Sequence, residues 1–191
     1  NFVDIGVNNF YFTTHYKSKL LQAFFQELDP KYNVNFTIEK KPLGTSGGLS
    51  LLKSKLKGDF FVSNCDILID ADYKEILKYH KEKKNILTII CSSKNTKIPY
   101  GVCVLDKLGN LEKLEEKPSI NNLIVTGVYI LNSKVFNFIP RNKHQDMNNL
   151  IDILISNNMN VGVYPVVEDS WSDVGQWEQY SATLKKLTKS D

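Results

Sequence analysis

Short continuous apolar runs alternate along this chain with segments whose apolar residues recur every three to four positions, and this alternation limits the fold more than any other feature. Strand-like runs separated by amphipathic helices build a sheet with helical crossovers, the α/β class. Asn9–His15 reads as a strand and Lys17–Leu28 as a helix, with Leu20, Leu21, Phe24, Phe25 and Leu28 on one face and Pro30 helping to end it. Val34–Glu39 is the next strand, Pro42–Gly48 a glycine-rich turn, Leu49–Leu56 a helix, and Asp59–Asn64 a strand of the kind buried on both faces. A helix over Ala71–Lys83, with Tyr73, Ile76, Leu77 and His80 inward, leads to the strand Ile86–Cys91.

The texture then changes. Gly101–Asp106 and Leu111–Glu115 flank Gly109-Asn110, a hairpin signal, and Ile124–Leu131 is a further strand. Helices at Lys134–Ile139 and Asp146–Asn157, the strand Val161–Val167 and a last helix over Gly175–Leu187, carrying Trp177, Tyr180 and Leu184, complete the pattern. The expected fold is a mixed, mostly parallel sheet with flanking helices and a β-hairpin excursion. Nothing reads as a linker or repeat, and 191 residues suit a single domain with one core.

Composition narrows the function. At 42% hydrophobic and 24% charged the chain is an ordinary globular sequence, so disorder is not its main state. Its longest apolar stretches fall far short of the roughly 18–20 residues of a membrane-spanning helix, and no charged-then-apolar leader is visible, so neither membrane nor export is expected. The net charge of +3 is almost all lysine, Arg141 being the single arginine, and the lysines form no stripe, which argues against nucleic acid. Cys65, Cys91 and Cys103 share no C-x-x-C spacing and lie in apolar runs; buried, reduced thiols in a cytoplasmic protein are expected.

In an open α/β sheet, ligands bind beyond the carboxyl ends of the strands. Asp66 ends the run Phe60–Asp66, and Asp173 sits in Trp171-Ser172-Asp173-Val174-Gly175 after a later strand. Two carboxylates from separate strand ends suit one Mg²⁺, which takes one or two carboxylates with water and substrate phosphates. A helix N-cap is the competing reading for each. Pro42-Leu43-Gly44-Thr45-Ser46-Gly47-Gly48 joins strand to helix, where glycines let backbone N–H groups approach a base or phosphate, but it fits neither G-x-x-x-x-G-K-[S/T] nor G-x-G-x-x-G and reads equally as a plain turn. Glu115-Glu116-Lys117-Pro118 sets a carboxylate beside an ammonium, suited to a sugar hydroxyl and a phosphate, or simply a solvated pair. His15, His80 and His144 have no metal spacing and read as packing or surface residues.

The order of these motifs says more than any one of them. Glu39 with Pro42–Gly48, then Asn64-Cys65-Asp66, Tyr100-Gly101, Glu116-Lys117-Pro118, Val125-Thr126-Gly127-Val128-Tyr129 and Trp171–Gly175 resemble the sugar-1-phosphate nucleotidyltransferases over nearly the whole chain. The likeness is strongest to the mannose-1-phosphate guanylyltransferase-like branch, some members of which follow paired CBS modules in one polypeptide. The resemblance implies a Rossmann-like (GT-A-like) fold and transfer of a nucleotidyl group from an NTP, with GTP somewhat favoured, to a sugar 1-phosphate, giving NDP-sugar and pyrophosphate with Mg²⁺. It implies that Asp66 and Asp173 ligate the metal, that Glu39, Gly44 and Thr45 border the nucleotide, and that Gly101 and Glu116 hold the sugar. Lys117 would meet the sugar phosphate, and Val125, Thr126 and Gly127 would close the sugar pocket. A homo-oligomer, with possible CBS modules in the parent chain, is the expected assembly.

One departure matters. Family members begin with a strand and a G-G-x-G-T-R-L loop, whereas this sequence starts at Asn1-Phe2-Val3-Asp4-Ile5-Gly6, which looks like the approach to the family's second strand. Residues 1–191 are therefore expected to be one amino-terminally truncated domain, its first strand absent from between Asn9–His15 and Asp59–Asn64, and inactive alone. Two other readings stay open: a non-catalytic nucleotide- or sugar-nucleotide-binding regulatory homologue, and a metal-dependent glycosyltransferase with Asn64-Cys65-Asp66 standing near an Asp-x-Asp motif.

Overall fold

A computed structural model describes residues 2–175. They form an α/β fold with a mixed, mostly parallel arrangement of strands. The first strands, β1 (Asn9–Thr14) and β2 (Asn33–Ile38), pair in parallel from Asn9↔Asn33 to Thr14↔Ile38 and are bridged by α1 (Ser18–Leu28). After α2 (Gly44–Gly47) and a 3-10 turn at Gly48–Leu52 come β3 (Asp59–Ser63), the short β4 (Ile67–Ile69), α3 (Tyr73–Glu82) and β5 (Leu87–Lys97). The hairpin β6 (Gly101–Leu105) and β7 (Leu111–Glu116) follows, then β8 (Ser119–Asn132), α4 (Met147–Ser156), β9 (Val161–Val166) and β10 (Trp171–Asp173).

The chain packs as two compact units. The first takes residues up to Ser63 with Asp72–Ile89 and Val128–Tyr164; the second takes Asn64–Ala71, Ile90–Gly127 and the residues from Pro165 on. Strands join in the order β3-β8-β5-β9, β8 running antiparallel to β3, while β1-β2, β4-β10 and β6-β7 form separate two-stranded sheets. Among the described residues β1 pairs only with β2, and β3 only with β8, so a strand position stands open on each.

The core of the first unit is the run Val128–Leu131 of β8, buried residue after residue as a strand covered on both faces must be, with Ile76 from α3 and Leu150 and Leu154 from α4. Leu150 and Leu154 repeat at helical spacing, and truncating either to alanine costs about 2–5 kcal/mol. Both helices have well-formed starts: the Asp72 carboxylate accepts from the Lys74 and Glu75 amides, and Asp146 and Asn149 form a reciprocal capping box. His80, fully buried on α3, sets Nδ1 at 2.8 Å from Thr88 Oγ1, which also accepts from Asn85 Nδ2. Its Nε2 faces Asp59 at 3.5 Å, and Asn132 donates to that carboxylate at 2.6 Å. Burial pushes the imidazole below its ordinary pKa, and the Asp59 charge opposes the shift without reversing it.

Several expectations need correction. The helix read over Leu49–Leu56 is a 3-10 turn ending at Leu52, and Lys134–Ile139 is a 3-10 turn over Ser133–Asn137. β5 runs on to Lys97 as exposed strand with no apolar residue, and β8 starts at Ser119, where Ile120 and Leu123 are exposed apolar residues too widely spaced to extend the run. β4 and β10, three residues each and antiparallel to one another, were too short for any periodicity to reveal. The apolar face of α1 is not buried: Leu20, Phe24 and Leu28 remain more than half exposed, because the helix has only a two-stranded sheet to cover. Only Cys91 is buried; Cys103 lies on the open hairpin and Cys65 on the β3–β4 connection, both exposed. The last expected helix lies, from residue 176 on, outside the described residues.

Candidate functional site

The expected site residues fall in both units. In the first, Glu39 follows β2 with its backbone N–H bonded to the Thr14 carbonyl. One carboxylate oxygen, Oε2, accepts from the Leu43 amide at 3.0 Å. The other, Oε1, lies 2.5 Å from where a Cβ on Gly48 would stand, so Gly48 is glycine because the carboxylate fills that space. Between them the glycine-rich stretch is not an open turn. It is one helical turn packed on the residues before α4, with Gly44 at φ +77° and its absent Cβ 2.6 Å from the Gln145 carbonyl oxygen. Thr45 is exposed, and its hydroxyl accepts from the Met147 amide at 2.8 Å, finishing the start of α4.

In the second unit, β4 and β10 exist to bring Asp66 and Asp173 together. Asp173 pairs with Ile67, the neighbour of Asp66, and the Val174 amide donates to the Asp66 carbonyl at 2.9 Å. Both side chains are half-buried and converge on Gly175: a Cβ there would stand 2.8 Å from Asp66 Oδ2 and 3.1 Å from Asp173 Oδ1. Asp173 Oδ1 also accepts from the Gly175 amide at 3.0 Å. The N-cap reading of Asp66 is thereby corrected, since Asp66 leads into β4 and the cap of α3 is Asp72. Two hard carboxylate oxygens aimed at one point fit a Mg²⁺ that draws its remaining ligands from water and phosphate. Among the described residues no cluster of three or more acidic, histidine or cysteine side chains competes for a metal.

The same unit holds the other residues. Gly101 and Glu116 are paired across the β6–β7 hairpin, and a Cβ on Gly101 would meet Glu116 Oε2 at 3.3 Å. Lys117 takes φ +48°, a left-handed turn held by its amide on the Tyr100 carbonyl, and its Nζ lies 3.8 Å from Glu116 Oε1 with both side chains open to solvent. Val125 is exposed, whereas Thr126 is buried and donates its hydroxyl to the Ile90 carbonyl at 2.7 Å. Trp171 Nε1 donates to the Thr126 carbonyl. Gly127, at φ +90°, leaves room for Asn64, whose side-chain nitrogen is 2.9 Å from the absent Cβ.

Reasoning from sequence found the carboxylates and the glycines but missed what supports them. Ser46 and Asn64 lay inside quoted motifs with no role of their own, and Gln145 lay outside all of them; its one available signal was Gln145-Asp146 ahead of a helical pattern, which reads only as a cap.

An α/β fold with paired acidic residues at strand ends and a glycine-rich segment falls in the Rossmann-like class, in which ligands bind beyond the carboxyl ends of the strands. The nucleotidyl transferase family matches residues 1–190, and the chain belongs to that family. It is 31% identical over 194 residues to the mannose-1-phosphate guanyltransferase of Candida albicans, covering 96% of this chain and 53% of that protein. To the mannose-1-phosphate guanyltransferase of Saccharomyces cerevisiae it is 32% identical over 181 residues, covering 90% of this chain and 49% of the other. The chain thus spans about half the length of the curated relatives it matches. The crystal structure of HddC from Yersinia pseudotuberculosis complexed with GMP-PN superposes with a TM-score of 0.73 at 23% identity, over 97% of this chain and 81% of that one, a likeness of fold.

Proposed function

We propose that the chain is the catalytic portion of a sugar-1-phosphate nucleotidyltransferase that joins an NTP, with GTP favoured, to a sugar 1-phosphate. The convergence of the Asp66 and Asp173 carboxylates on Gly175 carries this reading. The guanyltransferase relatives support GTP and mannose 1-phosphate as the first pair to try.

In this reading Asp66 and Asp173 hold the metal, which when bound neutralises charge on the nucleotide phosphates. Glu39, Gly44 and Thr45 border the nucleotide, Gly101 and Glu116 hold the sugar ring, and Lys117 meets the sugar phosphate. Val125, Thr126 and Gly127 close the sugar pocket, with the Thr126 hydroxyl donated to the Ile90 carbonyl and the Thr126 carbonyl accepting from Trp171 Nε1. A phosphate oxygen of the sugar 1-phosphate bonds to the α-phosphorus as the bond from that phosphorus to the bridging oxygen breaks, and pyrophosphate leaves with the electron pair. No covalent enzyme intermediate is needed; the protein aligns two anions and offsets their repulsion.

Residues 1–191 are read as one nucleotidyltransferase domain that is inactive alone, a reading supported by the open strand position on β1 and on β3 among the described residues. A cytoplasmic setting accords with three free cysteines, and a homo-oligomer with the exposed Leu105, Leu111 and Leu114 of the hairpin. CBS modules in the parent chain rest on the resemblance alone.

The test is a pyrophosphate-release screen of the native-length polypeptide, crossing the common NTPs with several sugar 1-phosphates in Mg²⁺. Release with one pair, abolished by Asp66→Asn and by Asp173→Asn, is the expected result. Binding of nucleotide without release from any pair would favour the regulatory homologue, and free NDP in place of pyrophosphate the glycosyltransferase.

A further inference from the structure

Gln145, just before α4, bonds to the glycine-rich segment through both its backbone and its side chain. Its backbone N–H donates to the Leu43 carbonyl at 2.8 Å, and its carbonyl accepts from the Ser46 and Gly47 amides at 3.0 and 2.9 Å. Its side chain adds to the clamp: Nε2 donates to the Phe138 carbonyl at 3.2 Å, and Oε1, at 3.1 Å, is one of three acceptors around the Ser46 hydroxyl, beside the carbonyls of Gln145 at 3.0 Å and Asp146 at 3.1 Å. Gln145 is 5% exposed and Ser46 fully buried, so these are bonds made away from water. Gly44 and Gly47 admit the 143–145 backbone at distances that a side chain would forbid.

The clamp reaches the expected nucleotide side directly. Leu43 gives its N–H to the Glu39 carboxylate and its C=O to Gln145, so one peptide segment is held from both directions. We infer that Gln145 is a positioning residue that fixes residues 43–47 in the shape presented to the base of the NTP; this rests on the function proposed above. Glutamine is suited to the place because its amide offers one acceptor to Ser46 and one donor to Phe138 at once, which neither Glu nor Met can do.

The test is steady-state kinetics of Gln145→Met, Ser46→Ala and the double variant in the native-length polypeptide, with amide hydrogen exchange at Ser46 and Gly47. The expected result is a KM for the NTP raised on the order of tenfold by either single variant and no further by both, faster exchange at the two amides, and kcat and the KM for the sugar 1-phosphate within about twofold of wild type. An unchanged KM for the NTP, an equal change for both substrates, or additive single effects would overturn the inference. Should Gln145→Met fail to fold, Gln145→Glu, which keeps an acceptor toward Ser46 and loses the donor to Phe138, decides by the same readouts. A wild type that releases no pyrophosphate with any pair overturns the proposed function itself and the role of Gln145 with it, a result distinct from a normal wild type with indifferent variants.

Discussion

Asp66 Oδ2 lies 2.8 Å from the point where a Cβ on Gly175 would stand, so the absence of a side chain at 175 is what lets the Asp66 and Asp173 carboxylates face the same small space. Gly175→Ala puts a methyl group between them. We expect it to lower pyrophosphate release by about 10²-fold while the melting temperature stays near that of wild type. Activity within a few-fold of wild type would show that the two carboxylates do not share a ligand.

Gly127→Ala meets two obstacles, a left-handed φ of +90° and Asn64 at 2.9 Å. The expected loss is about 1–3 kcal/mol, read from urea unfolding. Adding Asn64→Ala should restore part of it, because the clash is relieved and the backbone strain is not. Full restoration would mean that φ costs nothing here.

His80 is held neutral by burial, its folded pKa depressed below the ordinary imidazole value. The unfolded state therefore binds the proton more readily, and stability is fully present above about pH 6.5 and is lost as pH falls from there through the folded pKa. Urea midpoints across pH 7.5 to about 5 should decline on this account, and His80→Gln should flatten that decline. A midpoint that rises on acidification would contradict the sign.

Thr45→Val removes the acceptor of the Met147 amide at the start of α4. A loss of about 1 kcal/mol in urea unfolding is expected, with the helix otherwise intact. A neutral result would mean that water replaces the hydroxyl at this exposed position.

Among the described residues β1 and β3 each have one strand neighbour, and a strand edge left open invites pairing with other chains. Sedimentation velocity of residues 1–191 should show concentration-dependent association, and the sample should not turn over NTP. A stable monomer that releases pyrophosphate would refute both expectations.

The long elements were legible because their periods are strong. α3, with Tyr73, Ile76 and His80 inward, α4, and the strands β1, β2, β3 and β9 stand within a residue or two of their expected bounds. The hairpin was visible in Gly109-Asn110, and Asp106 completes it: its carboxylate accepts from the Leu108 and Asn110 amides, and these bonds, the one from Asn110 foremost, lower its pKa.

The α/β class, the order of the motifs and the identity of the residues at strand ends are all written in local spacing and residue type. Tertiary structure alone decided the rest. β4 and β10 exist only because each supplies the other's hydrogen bonds; the Asp66–Asp173 convergence follows from that pairing, and the glycine-rich stretch becomes a rigid turn only because Gln145, about 100 residues later, answers its amides. α1 shows the same dependence in reverse: its apolar face is periodic and Phe25 packs on Phe12 and Phe36, yet Leu20, Phe24 and Leu28 stay open because burial needs a partner surface that no helical period can specify.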